Sequence, residues 1–320
     1  MSSKKPILIV PGEKKSIFFE IFFKSIKKKF ESPLIILTSE KTFKKELLRF
    51  YTNIKYKTIT IKDLKFVKLN NKYLYLIDVL NENLKIKKSK NFDIEILKSS
   101  FDIALDLIKK NFTHKFINGP INKKKFLNKK FPGITEFIAH KFKKKNYGML
   151  IYNKELSVCP LTTHLPIKVV AQNINQQKII NKVKIIDNFF KRKLKYKPKI
   201  AIAGLNPHCE SYLEFNEDEQ IVSKAVSKCL KLGINIKGPL SADTLFIKEN
   251  RKKFDVILGM YHDQVLGPLK ALFEYDAINI TMGLPFLRVS PDHGPNEKMV
   301  NKNLSNPTSL IRALEFLDKN

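Results

Sequence analysis

Three histidines stand in predicted tight turns, each after a short apolar run. They are His164 in TTHLP, His208 in GLNPH and His262 in MYHDQ. Neutral imidazole is a common metal ligand at physiological pH, and three imidazoles around one divalent ion leave a coordination position open for substrate. A histidine beside a turn is more often an ordinary polar residue, and these intervals match no short metal-binding motif. The residues alone therefore predict three separate loops that could converge on one ion.

Short apolar runs bounded by turn residues predict strands along the chain. Between several of them, apolar residues recur with helical spacing. Strands that alternate with helices predict an α/β protein with a largely parallel sheet. The predicted strands are 6–10, 33–37, 73–79, 115–118, 149–152, 157–161, 199–203, 255–260 and 277–281, and the predicted helices are 92–111, 177–194, 217–232 and 309–317.

Each of the three histidines comes directly after one of these strands. In open α/β sheets, ligands bind beyond the carboxyl ends of the strands. We therefore expect the histidines on one edge of the sheet, joined there by the loop at 119–123. The sequence contains neither GxGxxG nor a Walker A motif, so a nucleotide cofactor would bind without the usual glycine loop.

The chain of 320 residues is strongly basic, with 60 Lys and Arg against 30 Asp and Glu and a formal net charge of +30. Only five of the cations are arginines. Arginine is the residue that reads bases through bidentate contacts, so the sequence predicts no specific nucleic-acid partner. The charge instead favours encounters with small phosphorylated molecules.

No apolar run approaches the roughly 18 residues that cross a bilayer, and the run at 6–10 ends too early for a signal peptide. The three cysteines, Cys159, Cys209 and Cys229, show no metal-binding spacing, and their odd number fits a reducing compartment. We therefore expect a cytoplasmic protein with no membrane partner, and its length suggests about two domains.

Longer motifs, occurring in a matching order, resemble the 4-hydroxythreonine-4-phosphate dehydrogenase family of vitamin B6 biosynthesis. The similarity is weaker in the first hundred residues, where only PGE at 11–13 fits. The motifs are GPINK (119–123), TTHLP (162–166), GLNPH (204–208), GPLSADTLF (238–246), DVILGMYHDQVLGPLKAL (255–272), INITMGLPFLRVSPDHG (278–294) and NPTSLIRAL (306–314).

The resemblance implies an isocitrate/isopropylmalate-dehydrogenase-like fold, with two α/β domains and a cleft between them. Residues 1–125 and 290–320 would form the domain on the cofactor side. Residues 126–289 would carry the metal and substrate site and the interface of a homodimer with shared active sites. The implied reaction is NAD-dependent oxidation and decarboxylation of 4-phosphooxy-L-threonine to 3-amino-2-oxopropyl phosphate. NADP is the alternative cofactor, and one divalent metal per subunit (Zn, Mg or Co) is implied.

The resemblance also implies roles for single residues, with the three histidines as the metal ligands. A metal on the substrate hydroxyl would lower its pKa. Arginine suits phosphate or carboxylate as a fork and lysine as a point charge, while carboxylates orient ligands or accept a proton. The other matched residues are the substrate contacts Thr135, Lys270, Asn279 and Arg288, the catalytic residues Asp243, Asp263 and Lys270, and the cofactor contacts His293, Gly294 and Asn306.

Three segments depart from the family's pattern. Ile134 replaces a histidine before Thr135, and isoleucine cannot donate a hydrogen bond. The turn after 11–13 continues as KKSI instead of a glycine-rich stretch. Residues 295–298 read PNEK, in the segment that holds adenosine in related dehydrogenases, and Pro295 has no N–H to donate. These departures predict altered binding of substrate and cofactor.

Three alternatives remain from the sequence. A related dehydrogenase would act on another phosphorylated hydroxy acid, such as 4-phospho-D-erythronate or phospho-threonate, and Ile134 favours it. A phosphotransacylase resembles this fold but needs no histidine triad. A basic binding protein is the third alternative, although aromatic residues interleaved on a basic face are not evident.

Overall fold

The computed structural model describes residues 4–83, 86, 91–122, 126–127 and 130–320. Lys123, at the end of the GPINK motif, lies outside the described residues. The chain divides into two compact units: residues 1–137 with 285–320 form unit 1, and residues 138–284 form unit 2. The sequence placed these boundaries at 125/126 and 289/290. No helix among the described residues combines the length and the apolar character needed to cross a bilayer.

Strands and helices alternate along the described residues, which confirms the predicted α/β class. The strands are β1 (Ile7–Val10), β2 (Leu34–Thr38), β3 (Tyr56–Ile59), β4 (Leu74–Asp78), β5 (Lys115–Asn118), β6 (Gly148–Tyr152), β7 (Ser157–Pro160), β8 (Ile200–Ala203), β9 (Ile236–Leu240), β10 (Val256–Gly259), β11 (Ile278–Met282) and β12 (Leu287–Pro291).

The α-helices begin and end as follows, with π-helical turns at Phe190–Leu194 and Asp218–Ser223 beside two of them. They are α1 (Phe18–Ser25), α2 (Glu40–Arg49), α3 (Val79–Glu82), α4 (Phe92–Lys109), α5 (Ile134–Lys141), α6 (Gln176–Phe189), α7 (Lys224–Lys231), α8 (Ala242–Leu245), α9 (Lys248–Arg251), α10 (His262–Phe273) and α11 (Thr308–Lys319).

Unit 1 contains parallel strands in the order β3-β4-β2-β1-β5-β12. All four residues of β1 are buried, as are all four of β5. Strands covered on both faces need near-continuous apolar residues, which is why the sequence predicts them so readily. Around this sheet, α1 packs Phe18 and Phe22 with their rings stacked 6.0 Å apart.

Unit 2 contains strands in the order β11-β6-β7-β10-β8-β9. The first three are antiparallel neighbours, and β7, β10, β8 and β9 are parallel. A buried core lies on this sheet and includes Val158, Ala201 and Ile257. Asn175 caps the N-terminus of α6, and its side chain accepts a hydrogen bond from Lys178 N.

Each predicted strand and helix overlaps an observed one, but several elements were missed. Strand β9 carries Gly238 and Pro239, which interrupt its apolar pattern. Helix α10 contains Gly267 and Pro268, which are unfavourable inside a helix. The prediction of a tight turn at His262 was therefore wrong, because this residue begins α10.

Candidate active site

Three neighbouring parallel strands of unit 2 place the three histidines on one edge. Strand β10 lies between β7 and β8, and at its end Gly259 pairs with Pro160 of β7. His164 follows β7, His208 follows β8 and His262 follows β10. Since parallel strands end at the same edge, the predicted common edge is confirmed. Their role as metal ligands stays a prediction.

Two of the histidine rings are close enough to share an ion. The ring centres of His164 and His262 lie 6.0 Å apart, with 33° between their planes. Because an imidazole nitrogen binds Zn²⁺ at about 2.0–2.1 Å, two rings on one ion have centres about 5–6.5 Å apart. His262 Nδ1 lies 2.7 Å from Asp263 Oδ1. An ionised carboxylate only accepts, so Nδ1 donates and Nε2 is the nitrogen suited to a metal.

The third histidine does not complete a metal site within this single chain. Among the described residues, no group of three or more His, Cys, Asp or Glu side chains is arranged to hold a metal ion. His208 instead lies near Asp243: the pKa of that carboxyl is lowered mainly by a hydrogen bond from Ser241, with a smaller contribution from His208. Imidazole nitrogens thus suit a divalent ion chemically, but three ligands are not arranged around one point among the described residues.

The backbone at two of these histidines is left-handed. His164 has φ of 56° and His208 has φ of 54°. A left-handed conformation costs a residue other than glycine about 1–3 kcal/mol, and it persists only where surrounding contacts enforce it. Such strain clusters at functional sites, so it supports a role for both positions.

The turn that carries His208 is held by a buried carboxylate that sequence reasoning missed. Asp218 is fully buried and accepts hydrogen bonds from Leu205 N at 2.7 Å and Asn206 N at 2.8 Å. A Cβ at Gly204 would lie 2.5 Å from Cys209 Sγ, so a larger residue in this turn would displace the Cys209 side chain. The carboxylate therefore fixes the backbone just before His208.

Unit 1 contains a buried arginine at the predicted substrate contacts. Arg288 on β12 is 1% exposed, and its Nε donates to Asn118 Oδ1 at 2.8 Å. Its Nη1 donates to Thr135 Oγ1 at 3.4 Å. Burial lowers the pKa of Arg288 to about 10, and nearby Glu136 partly opposes that shift. The structure thus joins Arg288 with Thr135 and adds Asn118, a polar residue at the end of a buried strand.

The other predicted substrate contacts lie in unit 2. Lys270 is half-buried on α10. Asn279 lies on β11, where it pairs with Ile151 of β6. Its Oδ1 is buried and has no hydrogen-bond partner among the described residues. An unpaired buried acceptor is unfavourable, so a donor from a ligand suits this atom.

The segments predicted for the cofactor lie in unit 1. His293 Nδ1 lies 2.8 Å from the Gly294 carbonyl oxygen, and Asn306 Oδ1 accepts from Thr308 N at 2.9 Å. Ile17 N donates to the Pro295 carbonyl oxygen at 3.2 Å. Two of the segments that depart from the family's pattern are therefore in contact with each other.

A cavity of about 650 Å³ opens beside these two segments. Its cations suit the phosphates of a dinucleotide. Two of them already have partners, because Lys14 pairs with Asp93 at 3.1 Å and Arg49 with Glu46 at 3.0 Å. Its lining residues, which do not include His293, Gly294 or Asn306, are Lys14, Lys15, Lys45, Glu46, Arg49, Asp93, Glu297, Val300 and Asn301.

Relatives of known activity resemble the chain over most of its length. A 4-hydroxythreonine-4-phosphate dehydrogenase of Sulfurihydrogenibium sp. is 40% identical over 271 residues, which cover 80% of this chain and 83% of the relative. A D-threonate 4-phosphate dehydrogenase of Pectobacterium atrosepticum is 33% identical over 206 residues, which cover 63% of this chain and 63% of the relative.

A solved structure with a similar fold carries the same enzyme name as the first of these relatives. The crystal structure of 4-hydroxythreonine-4-phosphate dehydrogenase from Klebsiella pneumoniae matches with a TM-score of 0.82 and 27% identity, covering 98% of this chain and 97% of that one. This match confirms the predicted fold class. The family model described as pyridoxal phosphate biosynthetic protein PdxA matches residues 29–317. The chain is therefore an oxidoreductase that belongs to the PdxA family.

Proposed function

We propose that this enzyme oxidises the hydroxyl of 4-phosphooxy-L-threonine with NAD and releases CO2, forming 3-amino-2-oxopropyl phosphate for vitamin B6 biosynthesis. The observation that carries the proposal is the edge formed by β7, β10 and β8, where His164, His262 and His208 follow adjacent parallel strands. Membership of a dehydrogenase family favours this function over the phosphotransacylase and binding-protein alternatives.

Binding of the substrate's anionic groups is strongest where the protein's cations are shielded from water, because water screens electrostatic attraction. Arg288 is suited to this task, because its guanidinium is buried and donates hydrogen bonds to two neutral side chains, those of Asn118 and Thr135. Lys270 is the second cation that we assign to the substrate, and Asn279 Oδ1 the acceptor for its donor groups.

The histidines would hold one divalent ion (Zn²⁺, Mg²⁺ or Co²⁺), which lowers the pKa of a bound hydroxyl when it is present. Asp263 orients His262 by accepting its Nδ1–H. Asp243 stands after β9, the next parallel strand on the same edge, and we assign it to accepting a proton from the substrate.

We propose a homodimer with shared active sites. The triad is not closed among the described residues of one chain, which is expected where a second copy completes the site. Large apolar side chains are exposed in the segments that follow two of the histidines. They are Leu165 and Ile167 after His164, and Tyr212, Leu213 and Phe215 after His208. All three cysteines are free, which supports a cytoplasmic location.

A second substrate is favoured by one observation. Ile134 stands at the start of α5, next to Thr135, whose hydroxyl contacts the Arg288 guanidinium. An apolar side chain at this position cannot donate a hydrogen bond to the substrate. A D-threonate 4-phosphate dehydrogenase is also among the relatives. D-Threonate 4-phosphate is therefore the alternative substrate, with 4-phospho-D-erythronate as a further one.

The test is an assay of NADH formation, followed by absorbance, with each of the three phosphorylated acids. Metal-free protein and protein loaded with Zn²⁺, Mg²⁺ or Co²⁺ should be compared, and NADP should replace NAD in a parallel series. We expect the highest kcat/KM with 4-phosphooxy-L-threonine and NAD, and only with metal. Higher kcat/KM with another acid would assign that acid, and absence of turnover with all three would contradict the proposal.

A further inference from the structure

Gln264 connects two of the loops that carry the histidines. Its Oε1 accepts a hydrogen bond from Met260 N at 2.7 Å, at the end of β10. Its Nε2 donates to the Gly204 carbonyl oxygen at 2.7 Å, at the end of β8. His262 follows Met260 closely in the chain, and His208 follows Gly204. One side-chain amide therefore bridges the backbone from which both histidines project.

The orientation of this amide follows from its partners. A backbone N–H can only donate, so Met260 must face Oε1. A carbonyl oxygen can only accept, so Gly204 must face Nε2. The backbone pairing of β10 with β8 ends at Leu258 and Ile202. Beyond that point the Gln264 carboxamide takes the place of a peptide group and continues the link between the strands.

The link extends to the loop of the third histidine. Thr162 is buried, and its Oγ1 donates to the Met260 carbonyl oxygen at 2.7 Å. Its amide N–H donates to the same oxygen at 3.2 Å. His164 lies two residues further on. The chain of hydrogen bonds therefore runs from Thr162 through Met260 and Gln264 to Gly204, across all three strand ends.

The glycine at the end of β10 leaves room for the bridge. A Cβ at Gly259 would lie 2.3 Å from Val265 Cγ1 and 3.0 Å from Gln264 Oε1. A larger residue there would displace the side chain of Val265 or of Gln264. The amide therefore lies directly against the backbone of β10, where it joins the two strand ends beyond their backbone pairing.

We infer that Gln264 is a positioning residue, whose carboxamide sets the spacing of the His208 and His262 loops and thereby the affinity of the histidine edge for a divalent ion. The inference rests on the proposed role of the histidines as ligands. Groups that orient metal ligands typically contribute 10–100-fold to metal affinity. Gln264 itself touches no reacting atom in this role.

Co²⁺ binding to the full-length protein provides the test. The dissociation constant should be measured by competition with a chelator for wild type, Gln264→Glu and Gln264→Met. Glutamate has the same shape and still accepts from Met260 N, but it cannot donate to Gly204 O. Methionine has similar length and neither polar atom. The control is Gln177→Glu, an exposed glutamine on α6 of the same unit.

We expect both Gln264 variants to bind Co²⁺ about 10–100-fold more weakly and to show a changed Co²⁺ absorption spectrum at saturation. Gln177→Glu should bind as wild type does. The sign is informative for Gln264→Glu, because its added negative charge would by itself strengthen cation binding. Circular dichroism and thermal unfolding of the metal-free proteins separate lost positioning from lost folding.

The outcomes separate this inference from the proposed function. If wild type binds Co²⁺ and both Gln264 variants bind it equally well with the same spectrum, the positioning role is wrong and the metal site stands. If wild type and His262→Ala bind Co²⁺ equally, the histidine ligands are wrong and the inference fails with them. Weaker binding in a variant that keeps its fold supports the inference, and if only one variant folds, that variant decides.

Discussion

Arg288 Nε donates to Asn118 Oδ1 over 2.8 Å, inside unit 1 and with only 1% of the arginine exposed. A buried guanidinium is usually paired with a carboxylate, because an uncompensated charge is costly away from water. The Asn118 amide satisfies the Nε–H without adding a negative charge of its own. A neutral partner at this nitrogen is compatible with an anionic ligand as a further partner of the guanidinium.

Replacing Arg288 by lysine should weaken binding of the acid substrate by about 1–3 kcal/mol, because lysine keeps the charge but loses the planar fork. The KM for the acid should rise while the KM for NAD changes little. The matched control is Arg312→Lys, an arginine of the same unit whose side chain is 40% exposed and paired with Glu315. An unchanged KM for the acid would remove Arg288 from the site.

Asn118→Asp should change the pH dependence of substrate binding. Burial lowers the pKa of Arg288 to about 10, so the guanidinium is charged at pH 8 and has lost about half of its charge at pH 10. A carboxylate at 118 would raise this pKa and cancel part of the charge. We expect weaker binding at pH 8 and an alkaline loss of binding that moves to higher pH. Equal profiles for both proteins between pH 8 and 11 would contradict this account.

Each of His164→Ala, His208→Ala and His262→Ala should lower bound metal to well below one ion per subunit. His140→Ala, at the exposed last turn of α5, is the control and should keep it. Because protons compete with metals for imidazole nitrogen, wild-type affinity should also fall as the pH is lowered. Metal content is measured by elemental analysis after dialysis, and full stoichiometry in two of the three variants would refute the triad.

A mixture of inactive His208→Ala and His262→Ala proteins should regain activity if His208 of one subunit joins the His164 and His262 pair of its partner, whose rings lie 6.0 Å apart. Random exchange between two-fold symmetric dimers would restore about a quarter of the sites. The measurement is turnover after unfolding and refolding together, compared with the two proteins refolded apart. Absence of recovery, with dimers present in sedimentation, would contradict a site shared between subunits.

Ile134→His restores a donor next to Thr135 and should raise kcat/KM on 4-phosphooxy-L-threonine. One hydrogen bond to a charged group contributes about 1.5–3 kcal/mol, so the gain should be roughly tenfold to a hundredfold. Ile134→Gln, which adds a donor of different shape, is a useful comparison. A decrease with this substrate, combined with good turnover of D-threonate 4-phosphate by wild type, would favour the alternative substrate.

The sequence predicted that each of the three histidines follows a strand, but it did not predict which residues surround them. Apolar runs before His164, His208 and His262 identified β7, β8 and β10, since buried strands are continuous in sequence. Strand β10 lies between β7 and β8 in the sheet. This order cannot be read from any local sequence pattern. The contact of Gln264 with Gly204 is set by that order, whereas Asp218 binds the turn that lies 12 and 13 residues before it. The contact of Asn118 with Arg288 likewise joins strands that are far apart in the chain.

The left-handed backbone at His164 and His208 has a consequence for how these positions change over evolutionary time. Glycine adopts that conformation at little cost, and asparagine does so more readily than most residues. Either replacement would relieve strain in the fold while discarding an imidazole. In a lineage that no longer needed the ion, drift should therefore favour glycine or asparagine at 164 and 208 before it disturbed the neighbouring strands.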